Sequence, residues 1–172
     1  MASLMENLIE VLDLESQEYE NLLELSMKKT PVIVAGELEE LAKITDEEQI
    51  VVGKINRLEQ KRQEVFIDIA NVINKDVNSL MLIDLVEMLK SRPEEQQKLA
   101  IVHDRLSAAV HDVQRVNGQN RLLIQNALEL VEFDMNLLQA MKSAPETANY
   151  NKGACNTGTQ MGVDGSGFDA KQ

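Results

Sequence analysis

Apolar residues in the first part of the chain recur at the spacing of an α-helix. From Ala2 to about Lys29, apolar residues lie three, four or seven positions apart, which predicts a first long helix. Its apolar stripe contains Met5, Leu8, Leu12, Tyr19 and Leu22. We expect this helix to end at Thr30-Pro31, because proline lacks an amide proton and disfavours helical geometry in the residue before it.

A second stretch follows a strict heptad pattern, with spacings that alternate between three and four. The positions of this seam are Leu41, Ile44, Glu48, Val51, Ile55, Leu58, Arg62, Val65 and Ile69. The pattern predicts a helix from about Gly36-Glu37 to Ile73. Polar residues then indicate a turn, and they are Asn74, Lys75, Asp76 and Asn78.

A short helix and a third long helix follow. The segment LMLIDLVEML, residues 80–89, predicts the short connecting helix, and Ser91 and Pro93 are typical of the start of the next one. The third heptad seam runs from residue 99 to 141 and would be roughly 60 Å long as one helix. It contains Leu99, Val102, Leu106, Ala109, Val113, Val116, Asn120, Leu123, Ala127, Leu130, Asp134, Leu137 and Met141.

These patterns predict an all-α protein. We expect an elongated antiparallel helical bundle or coiled coil of three long helices plus a short connecting helix, within one domain that spans residues 1–145. Residues 146–172 hold five of the eight glycines and few large apolar side chains. Because such a segment cannot bury enough surface to offset its ordering entropy, we expect a flexible tail.

Charge and composition exclude several classes of partner. The formal net charge is −12, and residues 1–50 alone hold 13 acidic and 3 basic side chains. We therefore expect no nucleic-acid binding. No apolar run is long enough for a membrane span, the N-terminal segment lacks the features of a secretory signal, and Cys155 is the one cysteine. A protein of the reducing cytoplasm is the expectation.

The sequence offers no constellation for catalysis. His103 and His111 lack the glutamates that a di-iron helical bundle places three residues earlier, because those positions hold Ala100 and Ala108. No phosphate-binding loop or metal-spaced cluster appears either. We therefore expect neither an enzyme nor a site for a metal or cofactor.

Several short motifs and their order resemble one protein family. They are Glu18-Tyr19-Glu20-Asn21-Leu22-Leu23, Gly36-Glu37-Leu38-Glu39-Glu40-Leu41, Leu58-Glu59-Gln60-Lys61-Arg62 and Asn117-Gly118-Gln119-Asn120-Arg121-Leu122-Leu123-Ile124. Asn149-Tyr150-Asn151-Lys152-Gly153 follows the last helix. With these motifs, residues 1–145 resemble the FlgN family of flagellar export chaperones. The resemblance implies that the C-terminal region binds hook-filament junction subunits, and that the complex is delivered to the cytoplasmic domain of the flagellar type III export gate.

Two interpretations apply to the residues that could contact a partner. Polar seam residues such as Glu48, Arg62, Asn120 and Asp134 either fix helix register or, for the last two, belong to an open face that receives the client. The apolar residues of the distal last helix are either client contacts or core. As partner-binding candidates we select Asn117, Asn120, Leu123, Ile124, Leu130, Leu137, Leu138, Met141 and, from the family resemblance, Tyr150.

Two functions fit this sequence. The first is a chaperone that covers the amphipathic helices of junction subunits until their export. The second is a coiled-coil scaffold that forms a stable homodimer and has no secretion client, because sustained heptads serve both equally well.

Overall fold

Four α-helices make up the part of the chain that this computed structural model describes, residues 3–77 and 80–143. They are α1 (Leu4–Ala35), α2 (Leu38–Ile73), α3 (Leu82–Met88) and α4 (Pro93–Ser143), with a 3₁₀ turn at Leu89–Ser91 between the last two. No strand occurs within these residues. The predicted all-α class, with three long helices and a short connecting one, is confirmed.

α1 begins at a well-formed cap and ends later than predicted. The Ser3 hydroxyl accepts a hydrogen bond from the Glu6 amide, and the Glu6 carboxylate accepts one from the Ser3 amide. The predicted end at Thr30-Pro31 is wrong, because the helix continues through Pro31 to Ala35. Burial of Ile33 stabilises this last turn, and Gly36, with φ of 72°, closes it in the left-handed conformation.

The other predicted boundaries agree closely with the structure. α2 follows Glu37 directly and ends at Asn74, which adopts a left-handed conformation with φ of 54°. α4 begins at Pro93, a favoured first residue. Ser91, however, belongs to the preceding 3₁₀ turn, so the residue directly before α4 is Arg92 and the predicted serine cap is wrong.

The directions of the long helices follow from the contacts between them. Glu15 of α1 pairs with Arg62 of α2, and Lys29 with Glu48, so these two helices are antiparallel. A first core cluster joins the start of α1, the end of α2, α3 and the start of α4. A second joins Leu22, Val51, Ile55 and Val113. Along both clusters α4 runs parallel to α1 and antiparallel to α2.

Charged contacts also tie α1 to α4. The Arg105 guanidinium donates hydrogen bonds to the Glu20 carboxylate at 2.6 and 2.7 Å and to Asp13 at 2.7 Å. These bonds hold the pKa of the Glu20 carboxyl below its ordinary value. The bidentate pairing to Glu20 orients both side chains and supports the parallel arrangement of the two helices.

A polar layer crosses the bundle near the end of α1. The buried Asn120 side chain donates to the Ser26 carbonyl at 2.8 Å and accepts from the Thr30 hydroxyl at 2.7 Å. Glu48 accepts from the Ser26 hydroxyl at 3.1 Å and from the Lys29 ammonium at 2.6 Å. Asn120 and Glu48 therefore have the partners expected of residues that fix helix register.

Contacts divide the chain after Val131 into two units, 1–131 and 132–172. The core described above lies in the first. The predicted boundary at residue 145 and the predicted tail of residues 146–172 lie at or beyond the end of the described residues.

Candidate partner-binding surface

The apolar seam of α4 is covered by the bundle in its first half. Seam residues from Leu99 to Asn120 are buried or half-buried, with Val116 only 5% exposed and Asn120 only 4% exposed. Leu123 is half-buried, and Leu130, the next large apolar seam residue, is 61% exposed. Intramolecular coverage of the seam therefore ends near Leu123.

The register between α1 and α4 explains where this coverage ends. The contacts of Thr30 and Ser26 with Asn120 join residues 90 and 94 positions apart. α1 and α4 are parallel, so a residue of α1 lies level with the residue of α4 that is 90 to 94 positions later in the chain. For Ala35, the last residue of α1, that level is about residues 125–129 of α4. Beyond that level the hairpin of α1 and α2 has turned at Gly36, and it offers no further residues to cover the seam.

In the first unit, exposed apolar side chains form a face on α4 just past the bundle. Ile124, Leu128 and Val131 lie four and three residues apart, so they form one row along the helix. Leu123 and Leu130 form the neighbouring row. We call this face the proximal apolar surface, and its residues are Leu123, Ile124, Leu128, Leu130 and Val131, of which all but Leu123 are exposed.

The second unit carries a similar set within its described residues. Leu137 and Met141 lie four residues apart and are both exposed. Leu138 is exposed beside them, and Asp134 continues the seam with an exposed carboxylate. We call this set the distal apolar surface, and its residues are Met135, Leu137, Leu138 and Met141.

A groove of about 460 Å³ lies next to the proximal apolar surface. We call it the polar groove, and it is lined by Lys29, Glu48, Asn117, Asn120, Arg121, Ile124 and Gln125. Most of these side chains can donate hydrogen bonds. Three of the lining residues, Asn117, Asn120 and Ile124, are among the partner-binding candidates.

The structure thus separates the candidate residues into groups. Asn117 is exposed at the groove, whereas Asn120 is buried and its amide is occupied within the bundle, so we leave Asn120 out of the proposed contact surface. Leu123, Ile124 and Leu130 lie on the proximal surface. The remaining α4 candidates lie on the distal surface, and Tyr150 lies outside the described residues.

Sequence reasoning missed part of the exposed face. Leu128, Val131 and Met135 lie beside the heptad seam and are exposed, but among the residues that flank the seam only Asn117, Ile124 and Leu138 were predicted to contact a partner. The signal was present, since apolar residues flank the seam after residue 123 more densely than before it. Arg121 was likewise not predicted to contact a partner, and in the sequence it stood out only as part of the motif at residues 117–124.

Neither a metal-type cluster nor a membrane-spanning helix occurs among the described residues. They contain no cluster of three or more histidine, cysteine, aspartate or glutamate side chains that could hold a metal ion. In the same ranges, no helix combines the length and apolar character that crossing a bilayer requires. Cys155 lies outside the described residues.

Comparison with known proteins identifies the family. A protein of Bacillus subtilis (strain 168), described as uncharacterized protein YvyG, is 26% identical over 133 residues, which cover 77% of this chain and 76% of the relative. No solved structure matches. The family model described as FlgN protein matches residues 1–157. Because this match extends over more than half of the chain, the protein belongs to the FlgN family of flagellar export chaperones.

Proposed function

We propose that this protein binds hook-filament junction subunits of the flagellum in the cytoplasm, prevents their premature assembly and delivers them to the export gate. Family membership supports the general role of an export chaperone. The proximal and distal apolar surfaces of α4 support binding of an amphipathic client helix. No covalent step is involved.

The single observation that carries this proposal is that the α4 seam continues past the point where the bundle covers it. Its heptad spacing is unchanged from Leu99 to Met141, yet Leu130 is exposed in the first unit and Leu137 and Met141 are exposed in the second. Large apolar side chains in water are unfavourable, and burying each one is worth up to about 2 kcal/mol. Each of the two apolar surfaces is therefore suited to a partner helix.

Under this proposal, the client subunits carry amphipathic helices that fit the apolar surfaces of α4. Their amphipathic terminal helices pair with each other only after assembly, so before export their apolar seams need cover. Because the chaperone must also release the client at the gate, we expect moderate affinity. Tyr150 would contact the client or the gate, since tyrosine offers a large contact area with a hydroxyl.

Calorimetry tests this proposal with the full chain and the junction subunits of its own organism. We expect binding at micromolar concentrations, and a double variant with Leu130→Glu and Leu137→Glu should weaken it at least about tenfold. Both side chains are exposed, so the variant should melt like the parent protein. Ile83→Glu is the matched control, because Ile83 is also exposed, at 58%, but lies on α3 and outside both apolar surfaces.

The calorimetry has one outcome that supports the proposal and one that rejects it. Binding that is lost in the double variant but kept in the Ile83→Glu control supports a client surface on α4. No detectable complex between the parent protein and any junction subunit at micromolar concentrations rejects the proposal.

A homodimeric scaffold is the second candidate, because the same exposed seam could pair with a second copy. Light scattering separates the two functions. A monomer at micromolar concentrations favours the chaperone, whereas a dimer that persists at nanomolar concentrations favours the scaffold.

A further inference from the structure

One row of the proximal apolar surface repeats a row that the bundle covers. About 18 residues make five turns of an α-helix, so residues that far apart on α4 point in the same direction. At this separation, three exposed apolar residues follow three that are buried or half-buried. The exposed row is Ile124, Leu128 and Val131, and the covered row is Leu106, Val110 and Val113.

The second row of this surface has no apolar counterpart in the bundle. Leu123 and Leu130 point in the directions that Arg105 and Asp112 take about five turns earlier. Both of these earlier residues form ion pairs, so this flank of α4 is polar within the bundle. The apolar side of α4 therefore becomes wider where the helix leaves the bundle.

The two rows face in different directions around α4. On average they lie about 120° apart, and Leu128 and Leu130 lie about 160° apart. Ala127, the seam residue between the rows, is small, so the rows form separate ridges. A surface helix faces its whole core with a stripe about 100° wide, and a single partner helix covers a narrower seam. One partner helix therefore cannot cover both rows.

Two helices cover α4 within the bundle. Val113 packs in one cluster with Leu22 of α1 and with Val51 and Ile55 of α2. Both helices turn at Gly36, although the apolar side of α4 is wider beyond that level than before it. At least two further helices are needed to bury this surface.

A second copy of the chain fits this surface poorly. Each copy has a formal net charge of −12, so two copies repel each other. In a pair with two-fold symmetry, each α4 meets one partner α4, which covers one row and leaves the other in water. A single partner that brings two helices of its own meets neither difficulty.

We propose, building on the function proposed above, that one client molecule binds with two amphipathic helices, one along each row of the proximal apolar surface. The helix on the row of Ile124, Leu128 and Val131 continues the kind of packing that the bundle gives to the covered row. The helix on the row of Leu123 and Leu130 makes a contact that the bundle does not make. α4 lies between the two client helices and joins them into a three-helix bundle.

Single substitutions in each row test whether both rows bind. Calorimetry with the full chain and a junction subunit of its own organism compares Leu128→Glu and Leu130→Glu with the parent. Because each introduced carboxylate lies against a client helix, we expect each variant to bind at least about tenfold more weakly. Parent-like affinity in either variant would overturn the inference.

The controls address folding and position. Leu128 is 64% exposed and Leu130 is 61% exposed, so both variants should melt like the parent. Glu129 is exposed and lies on the side of α4 that faces away from both rows. Glu129→Gln should therefore bind the subunit with the affinity of the parent.

Nuclear magnetic resonance gives a second test that needs no substitution. In the free protein with labelled leucine methyl groups, a soluble paramagnetic probe should broaden the signals of Leu128 and Leu130. Saturation with the junction subunit should protect both signals from this broadening. Protection of only one of them would show that a single helix binds and would overturn the inference.

The mass of the complex decides who supplies the helices. By light scattering, one chain with one subunit supports the inference, whereas two chains in the complex, or two subunits on one chain, reject it. Binding through one row rejects only the second client helix and leaves the chaperone function intact. If the parent protein binds no junction subunit, the proposed function is rejected together with the inference.

Discussion

Glu15 shows how one residue ties the stability of this protein to pH. Its side chain is 1% exposed, and its carboxylate lies 3.0 Å from the Arg62 guanidinium. The contact is an ion pair without an aligned hydrogen bond, because the N–H direction does not meet the oxygen. Burial raises the pKa of the Glu15 carboxyl, Arg62 opposes this rise, and nearby Glu59 adds to it.

Glu15→Gln should therefore change the pH dependence of stability. With its pKa raised in the folded state, Glu15 contributes most to stability below its unfolded value of 4.5, and this contribution is lost as pH rises through the folded pKa. Glutamine does not titrate, so in the variant this position loses no stability over that pH range. Relative to the parent, the variant should gain free energy of unfolding as pH rises above 4.5, as measured by urea unfolding between pH 4.5 and 8.

The control for this comparison is Glu24→Gln, since Glu24 is exposed on the same helix. If the free energies of unfolding of Glu15→Gln and the parent differ by the same amount at every pH in this range, burial does not raise the pKa of Glu15 as described. Arg62 keeps about a third of its side chain exposed, so water can solvate it when its partner is neutral.

At the scale of the elements, packing overrides local preference at several points. Pro31 lies inside α1, although proline in a helix interior costs roughly 3 kcal/mol. Gly53 and Gly118 lie inside α2 and α4, where glycine is a poor helix former. The long helices form because their apolar stripes pack together, and single unfavourable residues do not interrupt them.

Gly118→Ala should raise the free energy of unfolding by about 0.5–1 kcal/mol. A Cβ atom at this position would have no neighbour within 4 Å, so the change adds helix preference without a clash. Gly36→Ala is the matched control and should destabilise the protein, because Gly36 has a φ of 72°. Thermal and urea unfolding of both variants measure the effect, and destabilisation by Gly118→Ala would contradict the described helix.

At the scale of the whole molecule, the residues that hold the bundle together and those proposed to bind a client occupy different parts of the chain. Among the described residues, the last buried residue is Asn120, and the residues of α4 after it are exposed except for the half-buried Leu123. Changes after residue 123 should therefore alter binding more than stability. Under the proposed function, this separation would let the protein bind and release a client without unfolding.

A chain truncated after Pro145 should keep its helicity and its melting temperature, because the two core clusters of the described residues are built without any residue beyond that position. Its affinity for the client or the gate should fall, since the tail carries Tyr150. Circular dichroism and calorimetry with the full-length chain as reference measure both effects. A large drop in melting temperature would show that residues 146–172 belong to the folded core.

Sequence alone determined the number and approximate positions of the helices, and which residues of α2 and of the first half of α4 face the core. The heptad positions of α2 from Ile44 to Ile69 and of α4 from Leu99 to Asn120 could be predicted because helix formation and amphipathic spacing are local properties. The turn at Asn74 was predicted for the same reason.

Tertiary structure decided which part of the α4 seam is core and which part is open. The spacing of α4 does not change at Leu123, so its own sequence cannot show that coverage ends there. Coverage depends on the register that Asn120 sets with Ser26 and Thr30, and on the turn of the neighbouring hairpin at Gly36. Similarly, α1 continues past Pro31 and buries Ile33, because burial of this side chain outweighed the local preference of the helix to stop.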